Sequence, residues 1–396
     1  MFNQLSALPA DPILGLLTQY RQDPSEHKVD LGVGVYKDEA GHTPVLSCVK
    51  KAEQQRVNQE QSKVYIGPTG SPLFNQRITE LSFGQSHSAL LADRVRTVST
   101  PGGTGALRVA ADLIKQSNPD ATIWVSDPTW ANHTGLFEAA GLTVKTYPYY
   151  DYETKTLKFE QMVDKLKTIP STDVVLFHAC CHNPSGMDLT SDQWDIIVAA
   201  TQQQGFTPLI DMAYQGFGEG IDEDAYGVRK MAANVDNMLL CASCSKNFGL
   251  YRERIGACSI VAKNAATANI ALSVMLYVIR CNYSMPPAHG AALVETILDS
   301  SELTQEWHRE LKVMRDRING NRALLVNKLK QNGVERDFGF IAKQKGMFSF
   351  LGITPQQVAE LQQRYSVYMV DSSRISIAGI APTNIEYLAN SIAKVL

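Results

Sequence analysis

The sequence predicts an α/β fold: a mainly parallel sheet flanked by helices, with a second, smaller α+β domain. Three observations predict it: a length of 396 residues, a hydrophobic fraction of 44%, and short apolar runs that alternate with longer amphipathic ones. The length exceeds one ordinary core and suits two domains. Strands that are apolar throughout and alternate with helices are typical of a parallel sheet covered on both faces.

The elements of the larger domain can be placed in chain order. Strands are expected in the runs ATIWVSDP, TVKTYPYY, DVVLFH, FTPLIDMAY and DNMLLCAS. Helices are expected between them, in TWANHTGLFEAAG, FEQMVDKLKTI and TSDQWDIIVAATQQQG. Gly141 is expected to close the first of these helices, and Thr190 or Ser191 to cap the last.

The pattern changes near residue 303, where a long charged helix begins. Short strands in GMFSFLG and VYMVDSSRISIAG follow it, and a helix ends the chain. We interpret this part as the smaller domain. We expect the N-terminal segment DPILGLLTQYRQDP to return and pack with it.

Composition limits the classes of function. Lys plus Arg number 37 and Asp plus Glu 40, a net charge of −3, which lacks the basic excess of a general nucleic-acid binder. No stretch suggests a membrane span or a basic leader, so a soluble, cytoplasmic protein is expected. The seven cysteines are expected to be free thiols. The CxxC of Cys241 and Cys244 has no second ligand pair, so a metal site is the less favoured alternative.

Polar side chains follow four of the predicted strands at their carboxyl ends. These are Trp130, Asn183, Asp211 with Tyr214, and the set Ser243, Ser245 and Lys246. Ligands of open parallel sheets bind beyond these ends, so the side chains are expected to meet in one crevice. A buried lysine pairs, loses its proton or becomes covalently bound. Singly, each has a structural alternative: a cap for Asp211, a loop turn for Asn183, a surface charge for Lys246.

A glycine-rich turn, TPGGTGALR, opens directly into a predicted helix. The free N–H groups of Gly103, Thr104 and Gly105 at a helix N-terminus suit an anion such as phosphate. The turn matches neither the dinucleotide nor the P-loop pattern, so a plain helix start remains the alternative. GVGVY, at 32–36, also fails the dinucleotide pattern and is compatible with a strand.

The segment SCSKNFGLYRERIGA resembles the pyridoxal-phosphate lysine signature of class I aminotransferases. The resemblance continues along the whole chain, through LGVGVYKDEAGHTPVL, TPGGTGALR, DPTWANH, CCHNPSG, DMAYQGFGEG, NYSMPPAHGA and GMFSF. Together these motifs resemble the aspartate and aromatic aminotransferase subgroup, whose fold is that of fold-type I pyridoxal-phosphate transferases. On this basis we expect an N-terminal arm over 1–12, a small domain made of 13–44 and 303–396, and a large cofactor-binding domain over 45–302.

The resemblance implies roles for residues around the cofactor. Lys246 would bind pyridoxal 5′-phosphate covalently and then carry protons, and Asp211 would keep the ring nitrogen protonated. Tyr214 and Asn183 would donate hydrogen bonds to the ring oxygen, and Trp130 would stack on the ring. The phosphate group would be held by five residues: Gly103, Thr104, Ser243, Ser245 and Arg254. No metal is expected.

The resemblance also implies a substrate site shared between two chains. Arg374 would bind the substrate α-carboxylate, and Gly34 would lie beside the substrate. Tyr65 and Arg280 would reach into the neighbouring chain's site, Tyr65 to the phosphate and Arg280 to the distal carboxylate of aspartate or glutamate. A homodimer that acts on amino acids and 2-oxo acids is therefore expected.

The choice of substrate is less clearly marked. Val35, Lys37, Thr43 and Thr104 agree with the aspartate-specific pattern, whereas Val64 and Met285 replace the more usual asparagine. We therefore expect transfer from aspartate to 2-oxoglutarate, with a broad or aromatic specificity as the alternative.

Two functions from other classes are less favoured by the sequence. Ser243 to Lys246 spell the SxxK of some acyl-transfer enzymes, but the accompanying SDN and KTG motifs do not occur. A non-catalytic binding module would require that Lys246 hold no cofactor.

Overall fold

The computed structural model describes residues 2–7 and 12–396, which form two compact units. The larger unit is Pro44–Asp316, and the smaller one combines the chain up to Thr43 with Arg317–Leu396. The second division therefore falls inside the long charged helix and not at its start near 303. Of the predicted N-terminal arm, residues 1 and 8–11 lie outside the described residues.

The elements are numbered in chain order over the described residues. The helices are α1 Pro12–Gln22, α2 Ser47–Gln59, α3 Pro72–Phe83, α4 Ser88–Leu91, α5 Gly102–Ser117, α6 Asn132–Ala139, α7 Phe159–Leu166, α8 Ser191–Gln204, α9 Tyr226–Asn234, α10 Ala265–Asn282, α11 His289–Asp299, α12 Ser301–Gln331, α13 Gly339–Lys343, α14 Pro355–Tyr365 and α15 Ile385–Val395. The strands are β1 Val29–Asp30, β2 Val95–Pro101, β3 Thr122–Asp127, β4 Thr143–Pro148, β5 Val174–His178, β6 Thr207–Met212, β7 Met238–Ser243, β8 Ile255–Val261, β9 Phe348–Phe350, β10 Val367–Tyr368 and β11 Arg374–Ser376.

A seven-stranded sheet organises the larger unit, in the order β2-β8-β7-β6-β5-β3-β4. β8 runs antiparallel to both of its neighbours, while the pairs from β7 to β4 are parallel. Its central strands are buried along nearly their whole length, because helices cover both faces. The mainly parallel α/β sheet predicted from the sequence is confirmed.

The predicted elements of this unit are present. Each apolar run forms a strand, β3 to β7, and each amphipathic run between them a helix, α6 to α8. Thr190 is the N-cap of α8: its hydroxyl accepts from the backbone N–H of Gln193, whose side chain accepts in return from the backbone of Thr190. Gly141 follows α6 with a φ of +79°, which suits a glycine at a helix end.

The smaller unit contains two short sheets. β1 pairs with β10 in parallel. The N-terminal segment before β1 also contacts the C-terminal part of the chain, because the Tyr368 hydroxyl donates to Asp23 Oδ2 at 2.6 Å. β9 and β11 form an antiparallel pair. GVGVY, at 32–36, does not form the strand that was considered for it. The strand β1 ends before it, at Asp30, whose carboxylate accepts the N–H of Gly32 at 3.0 Å and so turns the chain.

Helix α10 is long and apolar enough, by length and composition alone, to cross a membrane, although no membrane span was expected from the sequence. One side of it is buried in the larger unit, through Met275, Val278 and Ile279. Core helices of soluble proteins pass the same test, and this helix belongs to the hydrophobic core around α5.

Candidate active site

The carboxyl ends of four neighbouring strands carry the predicted cofactor residues. β7, β6, β5 and β3 are adjacent in the sheet, so the loops that follow them open at one edge. Trp130 lies with its ring centroid 5.3 Å from that of His133, and His133 contacts Asp211. The Lys246 amino nitrogen lies 4.7 Å from the ring centroid of Tyr214. The structure therefore brings Trp130, Asp211, Tyr214 and Lys246 together.

Lys246 is not a surface charge. It is half-buried, and burial lowers the pKa of its amino group to about 8, with the positive charge of Arg254 acting in the same direction. Asp211 opposes this change but does not cancel it. A large part of Lys246 is therefore neutral near pH 8, which is the form that attacks a carbonyl or accepts a proton.

Asp211 is buried and remains ionised. Burial raises its pKa, but the hydrogen bond from His133 and the positive charges nearby outweigh burial, so the pKa stays below its usual value. His133 Nε2 lies 3.2 Å from Asp211 Oδ2 and donates to it, and the other ring nitrogen, Nδ1, lies 2.7 Å from the Thr129 hydroxyl. The site therefore holds a fixed negative charge in a buried position.

Two residues of the site, His133 and His178, were not found from the sequence. His178 ends β5 and stands opposite Asp211 in the register of β5 and β6. Burial, and after it the electrostatic interaction with His133, lower the pKa of His178 to about 3, so its ring is neutral. The available signal was a histidine at the carboxyl end of the strand that lies beside the one carrying Asp211. Recognising this signal requires the order of the strands in the sheet.

Among the described residues, two clusters have the spacing of metal ligands. In the first, ligand atoms of His133, His178 and Asp211 lie within 4.8 Å of one another, but His133 and Asp211 already bind each other. In the second, Asp224 joins Cys180 and Cys181. The carboxylate of Asp224 accepts backbone N–H groups, and the pKa of the Cys180 thiol is raised well above its usual value by its contact with Cys181 and by burial. Neither cluster is arranged primarily as a metal centre.

The glycine-rich turn forms the N-terminus of α5 beside a guanidinium. Gly102 has a φ of +73°, and a Cβ there would lie 2.4 Å from Arg254 Nη2. A Cβ on Gly103 would lie 3.1 Å from the Cβ of Ser243. Arg254 Nη1 is 3.5 Å from the Ser245 hydroxyl. Helix N–H groups, hydroxyls and a guanidinium in one place form a site suited to a phosphate dianion.

Two positions of the predicted set are placed less centrally. Thr104 belongs to the first turn of α5 but is exposed. Asn183 follows β5 and is buried, with 7% of its surface exposed. Its Oδ1 atom is buried and has no hydrogen-bond partner among the described residues. A buried amide in this condition is expected to meet a ligand or water.

The predicted substrate residues of the smaller unit form a cluster of their own around Phe348. The Arg374 guanidinium lies 4.3 Å from the ring centroid of Phe348 and donates to the backbone oxygen of Gly32 at 2.7 Å. A Cβ on Gly34 would lie 2.7 Å from Phe348 Cζ, so only glycine fits there without a shift. Arg322, buried beneath, donates to the backbone oxygen of Phe348 at 2.7 Å and fixes β9.

Tyr65 and Arg280 lie on the surface of the larger unit. Tyr65 is 87% exposed, and the neighbouring Val64 is 73% exposed. Arg280 is exposed in the last turn of α10 and donates to the Ser284 hydroxyl. Large exposed side chains of this kind are available to a second chain.

Comparisons with known proteins agree with this geometry. A family model described as aminotransferase class I and II matches residues 26–392. The chain is 49% identical over 396 residues to an aspartate aminotransferase of Salmonella typhi, covering all of both chains. It is 47% identical over 394 residues to an aromatic-amino-acid aminotransferase of Pseudomonas aeruginosa, covering all of this chain and 98% of that one.

A solved structure shows the same fold. It is an aromatic-amino-acid aminotransferase from Burkholderia pseudomallei, covalently bound to pyridoxal phosphate. The TM-score is 0.98 at 43% sequence identity, covering 100% of this chain and 99% of that one. On its sequence and its fold, the chain belongs to the class I and II aminotransferases.

Proposed function

We propose that this protein is a pyridoxal-phosphate-dependent aminotransferase that moves the amino group of aspartate to 2-oxoglutarate, giving oxaloacetate and glutamate in a ping-pong reaction. The observation that carries the proposal is the pair of Lys246, whose pKa is lowered to about 8, and the buried, ionised Asp211 at one edge of the sheet. Family membership and the relatives named aspartate aminotransferase support the same activity.

The residues present fit the cofactor. The N-terminus of α5 with Arg254 suits its phosphate, and the buried Asp211, whose pKa is lowered, suits a protonated ring nitrogen. When bound, pyridoxal phosphate supplies a carbonyl that combines with amines and a ring that accepts electrons. Gly103, Thr104, Ser243, Ser245 and Arg254 would hold the phosphate, with Tyr65 of a second chain.

The remaining side chains at the edge of the sheet would each contribute to binding or catalysis. Lys246 would bind the cofactor and carry a proton, which requires the neutral amine that burial favours. Asp211, held by His133, would keep a proton on the ring nitrogen. Tyr214 and Asn183 would donate to the ring oxygen. Trp130 would stack on the ring and, with Asn183, border the substrate.

We further propose a homodimer with shared sites. Arg374 and Gly34 of one chain would bind the substrate α-carboxylate, and Arg280 of the other chain would bind the distal carboxylate. The exposure of Tyr65 and Arg280 supports a role outside their own chain. The clustering of Arg374 and Gly34 around Phe348 supports a common task for these two residues.

We assign aspartate as the substrate, in preference to aromatic amino acids, on two grounds. A relative named aspartate aminotransferase is 49% identical to this chain, and Val35, Lys37, Thr43 and Thr104 agree with the aspartate-specific pattern. The aromatic alternative is supported by Val64 and Met285 and by the 47% identical aromatic-amino-acid aminotransferase. Loss of polar groups near Arg280 would admit apolar side chains.

An amino-donor panel tests the proposal. The cofactor-loaded protein is assayed with aspartate, glutamate, tyrosine and phenylalanine, using 2-oxoglutarate, or oxaloacetate for glutamate, as acceptor. Aspartate should give the highest kcat/KM among donors to 2-oxoglutarate. A higher value for tyrosine or phenylalanine would replace the aspartate assignment with the aromatic one, and no transfer from any donor would refute the aminotransferase activity.

A cytoplasmic location is proposed on the state of the cysteines. All seven are free, six of them buried, including the adjacent Cys180 and Cys181. Free thiols in this number are typical of a reducing compartment.

A further inference from the structure

The loop after β5, residues 179–188, is closed by a carboxylate. Asp188 Oδ2 accepts the backbone N–H of Cys181 at 2.6 Å, and Oδ1 accepts that of His182 at 2.8 Å. Both donors directly precede Asn183 in the chain. We call this arrangement the Asp188 clasp. The two oxygens of one side chain thus fix the direction of two successive peptide groups.

The backbone at the clasp needs such support. Cys181 has a φ of +51°, a left-handed conformation that a residue other than glycine adopts only at some cost in free energy. Its N–H is one of the two bound by Asp188. The clasp therefore holds the chain in a conformation that Cys181 alone would not favour.

The rest of the loop is held through His182. Its ring nitrogens lie 2.9 Å from the Ser126 hydroxyl and 2.8 Å from the Ser185 hydroxyl, and its ring stacks on Tyr149 at a centroid distance of 4.0 Å. These contacts hold the residue directly before Asn183 and, through Ser185, a residue two positions after it. The Asn183 Oδ1 atom has no hydrogen-bond partner among the described residues, so the direction of the side chain depends on the backbone around it.

A second carboxylate closes the loop after β6 in the same way. Asp224 Oδ2 accepts the N–H groups of Gly216 at 2.8 Å and Gly218 at 2.9 Å, and Oδ1 accepts that of Glu219 at 2.9 Å. This loop follows Tyr214, the other residue assigned to the cofactor's ring oxygen. It offers a matched comparison, because both clasps bind backbone N–H groups but each serves a different loop.

We propose that Asp188 is a positioning residue that aims the Asn183 amide at the ring oxygen of the cofactor. This proposal rests on the cofactor binding proposed above. Asp188 itself does not touch the cofactor: it acts by setting the peptide groups before Asn183. Its removal should therefore matter only as long as Asn183 is present.

A double-mutant cycle tests this dependence. The variants are Asp188→Asn, Asn183→Ala and the two combined, each reconstituted with pyridoxal phosphate. Asn183→Ala and Asp188→Asn should each reduce kcat/KM for aspartate, the second by about 10-fold, the lower end of the range for residues that orient the ligands of metal sites. The combined variant should be no worse than Asn183→Ala alone, because the clasp then has nothing to aim.

A spectroscopic readout separates positioning from stability. Donation to the ring oxygen influences the pH at which the bound cofactor changes its visible absorption, so Asp188→Asn should move this midpoint by roughly 0.5 unit or more in the same direction as Asn183→Ala. The apparent affinity of the cofactor-free protein for pyridoxal phosphate should fall in both variants. A residue that only stabilises the fold would lower Tm and leave the midpoint unchanged.

The Asp224 clasp supplies the control. Asp224→Asn combined with Asn183→Ala should give additive losses, whereas Asp188→Asn with Asn183→Ala should not. If Asp188→Asn does not fold, Asp188→Ser removes the carboxylate without placing an amide N–H group against the two backbone donors, and it should move the midpoint in the same direction. Additive losses for Asp188 and Asn183, or an unmoved midpoint in the folded Asp188 variant, overturn the proposal while the wild-type protein still binds cofactor. A wild-type protein that binds no cofactor refutes the proposed function itself, and this inference with it.

Discussion

At the scale of single residues, the site depends on opposite responses to burial. Burial lowers the pKa of Lys246, which favours the neutral amine, whereas the hydrogen bond from His133 keeps Asp211 ionised despite burial. One buried group is thus made reactive and the other is kept charged. The sequence predicted both residues from their positions at strand ends, and their pKa values follow from side chains that are remote in the chain.

The low pKa of Lys246 has a consequence for the stability of the cofactor-free protein. The unfolded lysine binds its proton up to about pH 10.5, whereas the folded one releases it near pH 8, so Lys246 destabilises the fold most below pH 8. Lys246→Met should raise the free energy of unfolding at pH 7 by on the order of 2 kcal/mol. The gain should shrink as pH rises from 8 toward 10. Denaturant titrations of both proteins at several pH values measure it, and a gain that is independent of pH would contradict the assigned pKa.

Removal of His133 should change how the cofactor affinity depends on pH. In His133→Asn the hydrogen bond and charge that oppose burial are weakened, so the pKa of Asp211 should rise. The carboxylate would then be lost at higher pH, and the affinity for pyridoxal phosphate should begin to fall at a higher pH than in the wild type. Titration of the cofactor between pH 5 and 8 checks this, with His42→Asn, at an exposed position, as control. The same pH dependence in both variants would exclude the role of His133.

At the scale of elements, the strands of the larger sheet could be predicted from the sequence, whereas the contacts between residues that are far apart in the chain could not. Continuous apolar runs such as VVLF predict strands buried on both faces, and the loops after them could be identified as the binding edge. The pairing of His178 with Asp211 depends on the register of β5 and β6, and the contact of His133 depends on the placement of α6. Such contacts join segments far apart in sequence, so no local pattern signals them.

The first turn of α5 should tolerate no side chain at Gly102. An alanine there would meet the Arg254 guanidinium and would need a φ of +73°. We expect Gly102→Ala to weaken binding of pyridoxal phosphate by at least about 10-fold, since one charge-assisted contact is worth roughly 1.5–3 kcal/mol. Gly135→Ala is the control, because nothing lies within 4 Å of a Cβ there and alanine favours the helix. Fluorescence titration of the cofactor-free proteins measures both, and equal affinities would show that Arg254 does not hold the phosphate.

At the scale of the whole molecule, the proposed function requires two chains. Tyr65 and Arg280 are exposed in the single chain, and neither could be assigned a task from local sequence without the resemblance. The residues proposed to hold the cofactor in one chain belong to its larger unit, whereas Arg374 and Gly34 belong to its smaller unit. The division inside α12 was missed because the charge pattern of that helix is continuous.

Exchange of subunits tests the shared site. Arg280→Ala should reduce kcat/KM for aspartate by about 10²–10³-fold and affect phenylalanine far less, because a buried charge pair is worth a few kcal/mol and phenylalanine has no distal charge. Arg374→Ala should reduce both alike. In a mixture of Arg280→Ala and Lys246→Ala chains, one site of each heterodimer would collect both defects and the other neither, so aspartate activity should return. No return of activity after verified exchange would contradict sites built from two chains.

Chemical trapping of the cofactor tests the central claim most directly. The protein is loaded with pyridoxal phosphate, reduced with borohydride and digested, and the modified peptide is identified by mass. We expect one modified residue, Lys246, in the wild-type protein. Lys246→Ala should show no modification: it should still bind the cofactor through its phosphate but lose transamination. A cofactor attached to another lysine, or none attached in the wild-type protein, would contradict this claim.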